Sequence, residues 1–462
     1  MFLQIHEAPR SDSTELVEVK LQGIQAKANK VSTKPPSRTL KEMLTSWSLI
    51  LLLCVAWLFH PATTQARQAS SSVTSHTFLA ANAELPPCLL SQISSRDALL
   101  VAGPDGRIIY SKNATRKCVP ASTLKILTGL AAIDHFGKSY RFRTEFYLDC
   151  DQNLKVKGYG DPLLISEVWQ EIAKALAPKL QGLNDLVLDD TYFADDIIPG
   201  VGSSTNPYDA PNGALCANFN TVFFKRDGTG RIVSAEPQTP ITPLGRQKIR
   251  QLGLDTGRYT FSHHRHEAAL YAGEILAHFL KENGKVYQGD MRAGVVAPGD
   301  TLIYVYHSVF TLDQAVKKML EFSNNFMANQ ILLALGAQVH GPPGTLAKGV
   351  DVFSNYCREV LGFSDVQIAE GSGISRENRL SPLDMLSVLK HFEPHRALLV
   401  REGTLLYKTG SLRGIKTRAG YIENNSGGPY YFAIFLNSSH ANIDSIVDCV
   451  RKSLHHGQDA SN

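Results

Sequence analysis

The sequence has little net charge, few tryptophans and no closely spaced cysteine pair, and each shortage removes a class of function. Its 47 Lys and Arg nearly balance 43 Asp and Glu, for a formal charge of +4 over 462 residues. That surplus is too small to indicate nucleic acid as a partner. Three Trp, 16 Tyr and 20 Phe form no basic-aromatic stripe. No Cys-x-x-Cys occurs and the cysteine spacings are long and irregular, so zinc is not suggested and no cofactor is expected. No internal repeat is evident.

Long apolar runs are also scarce. The stretch from Leu44 to Phe59 is short for a transmembrane span. It follows Lys41 and precedes Pro61 and Thr64-Gln65-Ala66, a small-x-small cleavage pattern. We read an export signal cut after Ala66, behind a polar prefix over residues 1–40. Met43 is an alternative start, and an uncleaved anchor at residues 44–60 is the alternative to cleavage. Cys54 lacks the small residues just before it that a lipoprotein site needs. Cleavage leaves Cys88, Cys118, Cys150, Cys216, Cys357 and Cys449, an even set that permits disulfides without specifying their pairing. An exported, periplasmic protein is expected.

What is present is an ordinary globular balance, 43% hydrophobic and 19% charged, with room for two or three domains. Residues 67–85 are rich in Ser, Ala and Thr and read as a linker. Asp97–Val101 and Arg107–Tyr110 flank Pro104-Asp105-Gly106, which predicts a hairpin. Leu124, Leu127, Ala131 and Ile133 recur at helical spacing, so a helix is expected from Ser122 to Phe136. Residues 312–335 are helical in pattern but broken around Ser323. Leu405-Leu406-Tyr407 leads into Lys408 as a strand. The apolar run Tyr430–Leu436 reads as a buried central strand. Residues 86–143 and 302–455 are each too small to close a core, so they are expected to build one α+β domain together, an α/β sandwich. Residues 144–301 would be inserted, and 456–462 a tail.

Three motifs carry chemistry. Ser122-Thr123-Leu124-Lys125 places a nucleophile and a base three residues apart, on one helix face. Burial lowers an ammonium's pKa, so Lys125 could take the Ser122 proton, and the helix amino terminus adds positive potential at a developing oxyanion. The bland reading is a Ser122 N-cap beside an exposed lysine. Ser323-Asn324-Asn325 offers a hydroxyl to pass a proton and an amide to hold a carbonyl; read blandly, it is a polar helix junction. Lys408-Thr409-Gly410, followed by Ser411, suits a carboxylate through a cation, a hydroxyl and strand-edge hydrogen bonds; read blandly, it is a turn. Alone each is weak. In this order they supply what acyl transfer through a serine ester requires, and the three-motif set is known from penicillin-binding proteins and class A β-lactamases.

At this point the chain resembles the penicillin-binding D-alanyl-D-alanine carboxypeptidases. More narrowly, it is similar to the class C, low-molecular-weight group that also acts as DD-endopeptidase, peptidase family S13. The interval from Ser122 to Ser323 is much longer than class A β-lactamases have. Gly160-Asp161-Pro162, Asn218-Phe219-Asn220, Phe322–Ala328 and Gly371–Asn378 also match that group. The resemblance implies a penicillin-binding-protein/serine β-lactamase-like transpeptidase domain with a large insertion. It implies that Ser122 is acylated, Lys125 is its base, Ser323 relays a proton with Lys408 in support, Asn325 holds the substrate amide and Thr409 receives the terminal carboxylate. The backbone N–H groups of Ser122 and Ser411 would form the oxyanion hole. The implied partners are a peptidoglycan stem ending in D-Ala-D-Ala and β-lactam inhibitors, with peripheral membrane association a further expectation and no nucleic acid or cofactor. Glu370 stands where the family usually has Asp, Ser411 replaces the usual Thr, and Asp227–Ser262 is short where the family often has a third domain.

Rival readings are a β-lactamase, a serine esterase or D-amino-acid amidase, and a non-catalytic wall-binding scaffold on the same fold. His263, His264, His266 and Glu267 form a cluster that could bind a metal, against the reading preferred here, an exposed loop at a helix start. Asp189, Asp190, Asp195 and Asp196 could suggest carboxylate chemistry, but with no acid-base partner adjoining them in sequence they read as solvated loop caps of the inserted segment. Asp161 reads as part of a turn. Cys118, near Ser122, reads as structural because no histidine is placed to activate it.

Overall fold

The predicted hairpin forms from Ala98–Ala102 and Ile108–Lys112, and its inner strand pairs onward with Tyr430–Leu436. In the computed structural model, which describes residues 85–424, 427–438 and 442–459, segments from the early and late parts of the described residues therefore share one sheet. Its six antiparallel strands run in the order Val400–Glu402, Leu405–Leu412, Ile415–Ile422, Tyr430–Leu436, Ala98–Ala102 and Ile108–Lys112. The export signal and linker expectations lie outside the described residues.

Tyr430–Leu436 is central, and all of it but Tyr430 is buried. Successive side chains on a strand face opposite ways. Ala433 and Phe435 join the larger core, while Phe432, Ile434 and Leu436 join a second core on the other face. Both faces are covered, which is why the run shows no polar alternation. Helices Leu124–Phe136, Leu312–Glu321, Asn325–His340, Leu346–Glu359 and Pro382–Phe392 contribute to the larger core. Fully buried side chains such as Leu127 and Leu389 each contribute about 1.5–3 kcal/mol by leaving water. Pro87–Leu90 and Ile443–Asp459 line the other face, joined by a Cys88–Cys449 disulfide. The even cysteine set yields only this bridge among the described residues; Cys118, Cys150, Cys216 and Cys357 are free thiols.

The middle of the chain has its own core, drawn from residues between Phe146 and Tyr306 with Phe326 added. It backs a five-stranded mixed sheet ordered Thr301–His307, Arg143–Leu148, Leu154–Gly158, Leu186–Asp189 and Met291–Ala293. Ser166–Leu176 and Arg265–Glu282 pack there, with Trp169 fully buried and its indole N–H donating to the Cys216 carbonyl at 3.3 Å. Thr221–Arg226, flanked by Ile232–Ser234 and Gly257–Thr260, makes a small third sheet.

The acidic residues expected to be solvated in loops divide. Asp189 and Asp190 are buried, and burial is the main force pushing Asp190 up to about 7. The reason is position: Asp189 ends a strand buried along its whole length. Asp195 and Asp196 are the ones left exposed. Asp161 is also buried and pushed up to about 6, although its carboxylate accepts the Leu163 N–H at 2.9 Å, as a turn residue would.

Candidate active site

Ser122 lies in a tight 3-10 turn, Ala121–Thr123, that runs directly into the helix Leu124–Phe136. Ala121 holds a φ of 48°, a left-handed conformation that costs a residue with a Cβ on the order of 1–2 kcal/mol. Its surroundings enforce it. The hydroxyls of Thr123 and Thr417 both donate to the Pro120 carbonyl, at 2.6 and 2.7 Å. Two glycines let other segments touch this turn. A Cβ on Gly373 would lie 1.9 Å from the Ala121 carbonyl oxygen, and one on Gly410 would lie 2.8 Å from the Ser122 nitrogen. The glycine after Lys408-Thr409 is thus where the strand meets the serine backbone. The Ser122 side chain makes no capping hydrogen bond, so the bland reading of it as an N-cap fails.

Lys125 is fully buried, and its Nζ lies 3.0 Å from Ser122 Oγ. It also donates to Asn325 Oδ1 and to the Ser372 carbonyl, both at 2.7 Å. Burial, aided by the nearby Lys408 cation and opposed by Glu370, pulls Lys125 well below the usual lysine range. A buried lysine shifted in this direction gives up its proton more readily than a solvated one and can act as a general base.

Ser323 sits at the break between helices Leu312–Glu321 and Asn325–His340, with a φ of 53°. Asn324 caps the second helix by accepting the Met327 N–H at 3.0 Å. Asn325 opens that helix and faces Lys125; with its oxygen occupied, its NH2 remains as a donor. Lys408 is buried and drawn down to about 8 by burial, and its Nζ donates to the Thr409 carbonyl at 2.8 Å. Among the described residues the Ser323 hydroxyl has no hydrogen-bond partner, so Ser323 and Lys408 are not joined by a hydrogen bond.

Thr409 and Ser411 are exposed while Gly410 is buried. Val400–Glu402 pairs only with Leu405–Tyr407, so among the described residues no strand covers that edge from Lys408 to Leu412. Cys118 is buried and pushed up to about 11 by burial, which makes it inert. His263, His264 and His266 are exposed. Sequence reasoning missed Ser372 and Thr417. Ser372 acts through a backbone carbonyl, which any residue possesses, and Thr417 is marked only by its place opposite Gly410 in the sheet.

Residues 99–400 and 395–453 match the D-Ala-D-Ala carboxypeptidase 3 (S13) family. The chain is 25% identical over 402 residues to the D-alanyl-D-alanine carboxypeptidase DacB of Haemophilus influenzae, covering 72% of this chain and 83% of that protein. It is 24% identical over 424 residues to the D-alanyl-D-alanine carboxypeptidase of Actinomadura sp. strain R39, covering 74% of this chain and 77% of that protein. The crystal structure of penicillin binding protein 4 (dacB) from Haemophilus influenzae superposes with a TM-score of 0.65 at 19% identity, covering 80% of this chain and 98% of that one; the fold is shared. The chain belongs to the D-Ala-D-Ala carboxypeptidase 3 (S13) family and is a serine-type D-Ala-D-Ala carboxypeptidase.

Proposed function

We propose that Ser122 carries the acyl-enzyme, and that the protein trims or cuts peptidoglycan stem peptides as a D-Ala-D-Ala carboxypeptidase, a DD-endopeptidase, or both. The observation that supports this most is the fully buried Lys125 Nζ, 3.0 Å from Ser122 Oγ. Neutral Lys125 takes the hydroxyl proton as Oγ bonds to the carbonyl carbon of the scissile amide. The carbonyl electron pair moves onto oxygen, and the oxyanion accepts the N–H groups of Ser122 and Ser411. Collapse breaks the C–N bond, and the leaving amine takes the proton from Lys125 by way of Ser323. Water then attacks the ester carbonyl and gives a proton to Lys125, and Lys125 passes that proton to Ser122 Oγ as the acyl C–O bond breaks, which frees the serine and restores the neutral base. Asn325 holds the penultimate amide, while Lys408 and Thr409 bind the terminal carboxylate. The uncovered strand edge beside them suits an extended peptide.

A β-lactam enters the same path, since its ring opens onto Ser122 with no separate leaving group. The Cys88–Cys449 disulfide fits an oxidising compartment and supports export to the periplasm. The separate middle core supports reading residues 144–301 as a domain inserted into one built from 86–143 and 302–455, with 227–262 a reduced third subdomain. The test is release of free D-Ala from a stem peptide ending in D-Ala-D-Ala, and scission of a cross-linked dimer. Turnover blocked by benzylpenicillin is expected. Rapid penicillin hydrolysis with neither peptide cut would make the protein a β-lactamase instead.

A further inference from the structure

Glu370 is fully buried, and among the described residues no cation lies within ion-pair distance of it. Its carboxylate is instead ringed by donors. One oxygen accepts the Gly373 N–H at 2.7 Å, the Ser375 N–H at 3.3 Å and Asn378 Nδ2 at 2.7 Å. The other accepts the Ser372 N–H and hydroxyl, both at 2.6 Å, and Asn329 Nδ2 at 3.1 Å. A proton on either oxygen would face a donor, so the geometry suits the anion. Burying a charge is costly unless hydrogen bonds replace its water, and removing this acid would leave its buried donors without an acceptor. An acid wrapped this completely calls for a reason.

The reason lies on the other side of the loop. With three backbone N–H groups curled toward Glu370, the carbonyls of Gly371 and Ser372 point the opposite way. Gly371 accepts the Thr128 hydroxyl at 2.5 Å and Ser372 accepts Lys125 Nζ at 2.7 Å. Thr128 and Lys125 both belong to the Ser122 helix. Asn329, one turn beyond Asn325 and on the same helix face, donates to Glu370 and accepts the Gly371 N–H at 2.8 Å. Asn325 meets Lys125 directly.

We propose that Glu370 is a positioning residue for acylation: it shapes the loop Gly371–Ser375 so that the Ser372 carbonyl holds Lys125 against Ser122, and it couples that loop to the Asn325 helix through Asn329. The inference rests on Ser122 being the acylated serine. The charged groups acting on Lys125 are Lys408, which favours loss of its proton, and Glu370, which opposes it. Glu370 therefore sets both where the base sits and the pH at which it works.

The experiment measures the benzylpenicillin acylation rate against pH, by rapid quench and intact mass, for wild type, Glu370→Gln and Glu370→Asp. Folding is checked by near-ultraviolet circular dichroism. Glu370→Gln should lower the plateau rate about tenfold to a hundredfold, as expected for a displaced catalytic group, and move the acid-side limb to lower pH. Glu370→Asp keeps the charge, so its limb should stay at the wild-type pH while the rate recovers in part. If Glu370→Gln does not fold, Asn329→Ala replaces it: the rate should fall with the limb unmoved. A folded Glu370→Gln with wild-type rate and limb overturns the proposal, as does an Asn329→Ala of wild-type rate. Absence of acylation in wild type would overturn the Ser122 reading itself, which separates the two failures.

Discussion

Replacing Gly373 with alanine tests how closely the backbone must pack around Ser122. Two costs are separable. At φ +82° a Cβ is strained whatever its surroundings, a penalty of about 1–2 kcal/mol. The new methyl would also lie 1.9 Å from the Ala121 carbonyl oxygen and 3.1 Å from the Ser122 nitrogen. Neither neighbour is a flexible side chain, so the loop and the serine turn must part by about 1 Å or more, and overpacking of this kind typically costs about 1–3 kcal/mol. The sum is about 2–5 kcal/mol of stability. The same displacement pulls the Ser372 carbonyl away from Lys125, and a 1 Å error in a reacting geometry lowers a rate by about 100-fold. Gly362→Ala is the control: its φ is +70° but nothing lies within 4 Å of the added Cβ, so it should lose only the backbone term and keep full acylation. Urea unfolding and the benzylpenicillin acylation rate read the two effects. A Gly373→Ala enzyme no less stable than Gly362→Ala, and acylated within twofold of wild type, would refute the packing argument.

Two further outcomes follow from the burial of Lys408 and from the disulfide. As pH rises through about 8, Lys408 loses the charge proposed to bind the substrate carboxylate, so kcat/KM for a D-Ala-D-Ala peptide should fall on the alkaline side; in Lys408→Arg, whose guanidinium keeps its proton, that limb should move to higher pH, measured as a pH–rate profile. Cys449→Ala should cost about 2–5 kcal/mol in urea unfolding and leave the acylation rate unchanged, because the Cys88–Cys449 bridge lies on the sheet face away from the larger core; dithiothreitol should reproduce the loss in wild type and add nothing to the variant.

The parts of the site that were legible in the sequence are those fixed by local geometry. Ser122 and Lys125 meet because a helix brings residues three apart onto one face, and the break at Ser323 shows as an interruption in apolar spacing. The central strand Tyr430–Leu436 is legible for the same reason, since both its faces are apolar. Partners distant in the chain were not legible. Ser372 reaches Lys125 through a carbonyl that carries no side-chain signature, and Glu370 registers in sequence only as an acid where a shorter acid is usual. Cysteine parity says nothing of distance, and Cys88 and Cys449 pair because two helices bring their Cα atoms to 6.2 Å. The burial of Asp190 was not legible either, because its place in the chain does not reveal that the strand before it is buried along its whole length.

The central claim is that Ser122 is the acylated nucleophile, and intact mass after incubation with benzylpenicillin tests it most directly, with Ser122→Ala run beside wild type. The account predicts one stable adduct of a single penicilloyl group on wild type and none on the variant. An adduct on Ser122→Ala, or none on wild type with no penicillin hydrolysed, would contradict it.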